Sequence, residues 1–135
     1  MRLLIAVFVL AMFSVAVAQD APKQATKKVP KYNAAAEAVY KGTVDDQRDR
    51  QCPVSGGMGA HIMLKMDNGE VIEVHLATTS FTKMVEMNLK KDDAIEVTGW
   101  KTEFDGVQTI FARQIKHGEN TYTFRAKDGA PAWIY

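Results

Sequence analysis

The stretch HIMLKMDNGEVIEVHL, residues 61–76, decides the reading of this chain. Two runs of alternating apolar and polar residues flank Asp67-Asn68-Gly69, the pattern of a β-hairpin. A two-residue turn at Asn68-Gly69 would set His61 opposite Leu76 and mix polar with apolar side chains on both faces. A three-residue turn, with Gly69 left-handed and a bulge, pairs Met66 with Glu70 instead. One face then carries Ile62, Leu64, Ile72 and Val74, and the other carries His61, Met63, Lys65, Glu73 and His75. A strand with one buried face cannot slip by one residue without exposing its apolar set, so the second register is expected. It puts His61 directly across from His75.

Upstream, Val39 to Asp46 alternates as a half-buried first strand, and the domain is expected to begin near Ala38. Asp46 to Gly59 breaks the alternation with charges, Cys52-Pro53 and a glycine cluster. It reads as a loop of about a dozen residues. The glycines lack a following Lys-Ser or Lys-Thr and precede a strand, which excludes a phosphate-cradling loop. Downstream, Thr78, Thr79 and Ser80 offer a helix cap, and Phe81, Met84, Val85 and Leu89 recur at helical spacing over about residues 80–89. A fourth strand from Ala94 to Phe104, the Asp105-Gly106 turn and a fifth strand from Val107 to Ile115 follow. Tyr122 and Phe124 anchor a short sixth. Strand, loop, hairpin, helix, strand, strand is the element order of an all-β OB-fold-like barrel. The expected domain, 38–135, is a five-stranded antiparallel barrel with one capping helix and a short C-terminal strand.

Residues 1–18 stand apart. Arg2 precedes an apolar run from Leu3 to Ala18, broken only by Ser14 and ending Ala16-Val17-Ala18, the pattern of a secretory signal peptide cut before Gln19. As a helix the run rises about 24 Å, short of a hydrocarbon core of about 30 Å. Residues 19–37, with four lysines among Pro, Gln and Ala, read as a flexible basic leader. The expected location is the periplasm or the outside of the cell, with no transmembrane span in the mature chain. The 135 residues hold 17 Lys and Arg against 16 Asp and Glu; without Arg2 the counts are equal. Equal charge argues against nucleic acid as a partner. One cysteine excludes an intramolecular disulfide framework and a four-thiolate metal site.

Gly59-x-His61, Asp67-Asn68-Gly69, Val74-His75-Leu76, Lys91-Asp92-Asp93, Val97-x-Gly99 and Ala112-Arg113-x-Ile115 together resemble small exported bacterial OB-fold-like proteins. The ending Thr123-x-Arg125-x-x-Asp128-Gly129-x-Pro131-x-Trp133 resembles the same group. The resemblance covers about residues 38–134 and implies fold and export. It implies no activity.

The chemistry-bearing residues centre on the hairpin. Directly opposed residues on paired strands stand about 5 Å apart at their β-carbons, so His61 and His75 are placed to share a metal ion. Imidazoles suit Cu or Zn; Met63, Met58 or Cys52 would add a soft ligand and Glu73 an oxygen. The competing reading is that both imidazoles only hydrogen-bond within the fold. Trp100, Phe104, Tyr122 and Trp133, with Lys101, Arg113 and Arg125, read either as a stacking platform or as packing that closes the barrel. Asp45, Asp46 and Asp49, next to Arg48 and Arg50, read either as a cation-binding or acid–base cluster or as the solvated end of the first strand. The expected function is a non-catalytic exported binding or accessory module for a small ligand, envelope component or protein. The alternative is a Cu- or Zn-binding protein built on His61 and His75.

Overall fold

The hairpin forms in the expected register. His61 faces His75, Ile62 faces Val74, Met63 faces Glu73 and Leu64 faces Ile72. Its turn has Met66 N–H donating to Glu70 O (2.8 Å) and Gly69 N–H to Met66 O (2.9 Å). Gly69 has φ +84°, which a residue without a β-carbon adopts freely. In this computed structural model, which describes residues 28–133, the pair belongs to a six-stranded sheet. The strands are β1 (Glu37–Cys52), β2 (Gly57–Met66), β3 (Val71–Thr78), β4 (Ala94–Phe104), β5 (Val107–His117) and β6 (Asn120–Thr123). One helix, α1 (Thr79–Met84), joins β3 to β4. The signal peptide expected over 1–18, and the leader as far as residue 27, lie outside the described residues.

The sheet order is β3-β2-β1-β4-β5-β6, and β3 also pairs with β5 through Glu73 to His75. That parallel pairing closes five strands into a ring, while the neighbouring pairs around it are antiparallel. The barrel expected from the sequence is therefore present, with β6 added at the free side of β5. Inside sit Val44, Ile62, Leu64, Val74, Val97 and Ile110, each at most 1% exposed. Each such side chain contributes about 1.5–3 kcal/mol of transfer free energy. Phe124, just beyond β6, is fully buried, and Phe81 from α1 packs against it at 6.4 Å between ring centroids.

Two expectations are corrected. The loop read over Asp46 to Gly59 is mostly strand: β1 runs on to Cys52 and pairs with β2, from Arg48 opposite His61 to Cys52 opposite Gly57. Residues 46–51 are all exposed, so this arm is held by backbone hydrogen bonds and carries no apolar alternation. The helix expected over 80–89 stops at Met84. Glu86 adopts φ +55°, and Glu86 N–H donates to Lys83 O while Met87 N–H donates to Thr82 O, a Schellman ending with glutamate where glycine is usual. Leu89 still reaches the core from the loop beyond.

The end of the leader is also ordered against the barrel. Asn33 caps a single 3-10 turn, Ala34–Ala36, and the Tyr32 hydroxyl donates to Glu37 Oε2 at 2.7 Å. Glu37 accepts in turn from Arg113 Nε and Nη2 at 2.8–3.0 Å, and this pairing holds its carboxyl below the ordinary range.

Candidate metal centre

The outer face of the β2–β3 hairpin carries the histidines, and the corrected path of β1 adds a third group to them. Cys52, the last residue of β1, turns sharply through residues 53–56, with Gly56 N–H and Ser55 Oγ both donating to its carbonyl. Its Sγ then lies 3.3 Å from His75 Nδ1, and His61 Nε2 lies 3.1 Å from the same nitrogen. One ligand atom from each of Cys52, His61 and His75 falls within 4.8 Å of the others. All three residues are buried, at 6%, 2% and 5% exposure. Among the described residues this is the one group of His, Cys and carboxylates gathered closely enough to hold an ion.

Gly59 makes the approach sterically possible. A β-carbon there would stand 2.6 Å from Ser55 Oγ, 3.1 Å from Cys52 Cβ and 3.3 Å from His61 Cε1. The β2–β3 register also shifts between Gly59 and His61, an irregularity of the bulge type beside the pair. Around the triad pack Phe111 and Phe104, whose rings stand 5.3 and 5.8 Å from that of His75. Trp133 folds over the remaining side and donates from Nε1 to Ser55 O at 3.1 Å. The enclosed space, lined also by Val54, Ala60, Leu76 and Ala77, has no room for a water molecule.

The outer nitrogen of His75 faces a carboxylate. His75 Nε2 is 3.9 Å from Glu73 Oε1, and Glu73 is ion-paired with Arg50. His61 Nδ1 is buried without a well-formed hydrogen bond, but backbone acceptors at Arg48 and Gly59 favour a proton on the ring. Burial above all, then the charges of His61, Arg50 and Arg125, push His75 down to about 3. Burial, then Arg50, lowers His61 as well. Both rings are thus neutral at pH 7.

Neutral rings cannot all be satisfied here. With protons on both outer nitrogens, the lone pairs of His61 Nε2 and His75 Nδ1 meet at 3.1 Å. If His75 Nδ1 takes the proton, its Nε2 turns a lone pair to the Glu73 carboxylate. If His61 Nε2 takes it and donates to His75 Nδ1, His61 Nδ1 is left as a buried acceptor without a partner. A cation among the three inner atoms removes the conflict and leaves both outer protons in place, the usual second layer around ligating histidines. Bonds of about 2.05 Å to nitrogen and 2.3 Å to sulfur at tetrahedral angles set ligand atoms roughly 3.3 Å (N to N) and 3.6 Å (S to N) apart. Two of the three separations, 3.1 and 3.3 Å, lie within a few tenths of these values, and the third is within 4.8 Å.

Of the residues singled out from sequence, Cys52, His61 and His75 converge. Glu73 stands behind His75, toward Arg50, as an outer partner. Met63 is half-buried opposite Glu73 on the same face, and Met58 is 45% exposed opposite Gln51. Ser55, Gly59 and the Trp133 lid were not legible as parts of a site. Glycine next to a histidine strand was the available hint.

The other candidates disperse. Trp100 and Phe104 pack with Phe111 and Tyr32, Tyr122 packs against the main core, and Arg113 is taken by Glu37. Arg125 lies between the rings of Tyr32 and Trp133, at 5.1 and 4.9 Å, and donates to Gly129 O. Asp46 pairs with the neighbouring Arg48 on the exposed arm. No described helix is long and apolar enough to cross a membrane.

A comparison with curated proteins found no match. Against protein families, residues 37–122 match the MamS/MamX magnetosome protein family, a span from the first residue of β1 into β6 that includes Cys52, His61 and His75. That is more than half of the chain, which therefore belongs to the MamS/MamX magnetosome protein family.

Proposed function

We propose that this protein is a non-catalytic accessory module of the magnetosome, exported from the cytoplasm, that holds one transition-metal ion between Cys52, His61 and His75. The family match supports the magnetosome association, and the apolar start ending Ala16-Val17-Ala18 supports export. The single observation that carries the metal reading is the convergence of three buried ligand atoms, one sulfur and two imidazole nitrogens, within 4.8 Å of one another. A hydrogen bond between His61 Nε2–H and His75 Nδ1 would still leave His61 Nδ1 buried without a partner. The non-catalytic reading has its own support. The space that the triad lines in common is too small for a water, and a separate cavity of about 200 Å³ is lined by His61 alone of the three.

The test is calorimetric titration of the reduced mature chain with Zn(II), and with Cu(I) under anaerobic conditions. The expected result is one ion per chain, with affinity lowered about 10-fold to 100-fold or more in Cys52→Ser, His61→Ala and His75→Ala. Gly59→Ala, which leaves every ligand in place, should also weaken binding at least tenfold, since its β-carbon would stand 2.6 Å from Ser55 Oγ. Stoichiometric binding unchanged in all four variants would place the ion elsewhere. No binding would refute the proposal.

A further inference from the structure

The geometry points to monovalent copper, Cu(I), as the ion of the Cys52–His61–His75 centre, bound by one sulfur and two nitrogens without a water ligand. This inference rests on the metal-binding reading and narrows it to one ion. Three independent features of the site lead there: the hardness of the donors, the number of positions around the ion, and the charge that the surroundings tolerate.

A thiolate with two imidazoles is a soft to intermediate set, suited to copper and zinc and poor for magnesium or calcium. Coordination number divides the remaining ions. Structural zinc takes four protein ligands, and open zinc sites complete the fourth position with water. Here Ser55 Oγ is turned to the carbonyls of Cys52 and Gly57, the Glu73 carboxylate is held by Arg50 beyond the far nitrogen of His75, and no water fits the enclosed space. Fe(II), which favours still more ligands, is less well served. Cu(I) has a filled d shell and is content with two or three. Met63, on the same face, would add only another soft donor.

Charge argues the same way. Cu(I) with one thiolate makes a neutral centre. Zn(II) or Fe(II) with the same donors carries +1 into a site walled by Phe104, Phe111, Leu76 and Trp133, where an unpaired charge is poorly solvated. Arg125 adds positive potential at His75, while Arg50 and Glu73 largely offset one another as an ion pair. A neutral centre suits these walls, whereas a cationic one is opposed by them. Binding exchanges the thiol proton of Cys52 for the ion, and one proton goes to the solvent. Copper enters as Cu(I) and stays Cu(I), so no electron moves.

The experiment uses the reduced mature chain under anaerobic conditions, competing for Cu(I) against a coloured cuprous chelator and for Zn(II) and Fe(II) against matching indicators. X-ray absorption on the copper-loaded wild type reads the coordination without any substitution. The expected outcome is one Cu(I) per chain, held at least 100-fold more tightly than Zn(II) or Fe(II), with about one sulfur and two nitrogens around it. Cys52→Ser, checked for folding by circular dichroism, should lose Cu(I) at least 100-fold. Zn(II) or Fe(II) held by the triad as tightly as Cu(I) would overturn the choice of ion and leave the metal-binding reading standing. A fourth oxygen or nitrogen ligand on copper would do the same. Failure of all three ions to bind, or binding indifferent to Cys52 and both histidines, would overturn both.

Discussion

Acidification of the metal-free protein is the sharpest test of how the triad is buried. His75 titrates near 6.5 in an unfolded chain and is pushed down to about 3 in the folded one. The folded state therefore binds this proton less readily than the unfolded state. Its favourable contribution is complete above about pH 6.5 and is lost as pH falls from there toward 3, by about 1.4 kcal/mol per pH unit. Between pH 7 and pH 5 the loss from His75 alone is about 2 kcal/mol, and His61, lowered in the same direction, adds to it. The groups acting on His75 are Cys52, His61, Glu73, Arg50 and Arg125. Only Glu73 favours the charged ring, and Arg50 has already claimed it. Urea unfolding with chelator and reductant at both pH values should show this loss in wild type and a loss smaller by about 2 kcal/mol in His75→Asn, whose amide cannot titrate. Nuclear magnetic resonance titration of the His75 ring in wild type should show no midpoint above pH 4. Equal losses in wild type and variant, or a His75 midpoint near 6.5, would refute the reasoning.

Two further perturbations probe the fold. Glu86→Gly should stabilise the protein by up to about 1 kcal/mol, because a left-handed residue with a β-carbon costs about 1–2 kcal/mol and the glycine gives back part of this as unfolded-state entropy; a lower urea midpoint would contradict the Schellman ending. Tyr32→Ala should cost about 2 kcal/mol through the lost ring contacts with Trp100 and Arg125 and the hydroxyl bond to Glu37; a change under 0.5 kcal/mol in urea unfolding would show that the leader's end is a tether only.

What could be read from the residues alone depended on whether burial had left a mark on them. Ile62, Leu64, Ile72 and Val74 share one buried face, so the hairpin register and the His61–His75 pair were legible before any coordinates. Asp105-Gly106 was equally plain, because both residues take positive φ in a tight hairpin turn. The arm of β1 was not legible. Asp46 to Gln51 is exposed throughout, and a strand without a buried apolar face has no alternation to detect. Without that arm, nothing in the residues selects Cys52 over Met58 or Met63 as the soft ligand beside the histidines. Pairing Cys52 with Gly57 is what carries the thiol to the histidines. Helical spacing from Phe81 to Leu89 was real but outran the helix, since Glu86 turns the chain and Leu89 enters the core from a loop.

β1 has a consequence for how the molecule comes apart. Residues 37–43 pair with β4 and residues 42–52 with β2, so both halves of the ring are stitched to one continuous strand. The ring also closes through three residue pairs between β3 and β5, strands distant in sequence. No seam is left along which one half can peel away and keep the other folded. Opening the ring is then a single cooperative event, and an ion held as proposed above could leave by way of unfolding no faster than that event. A quicker route would need only a smaller opening, such as release of the Trp133 bond to Ser55.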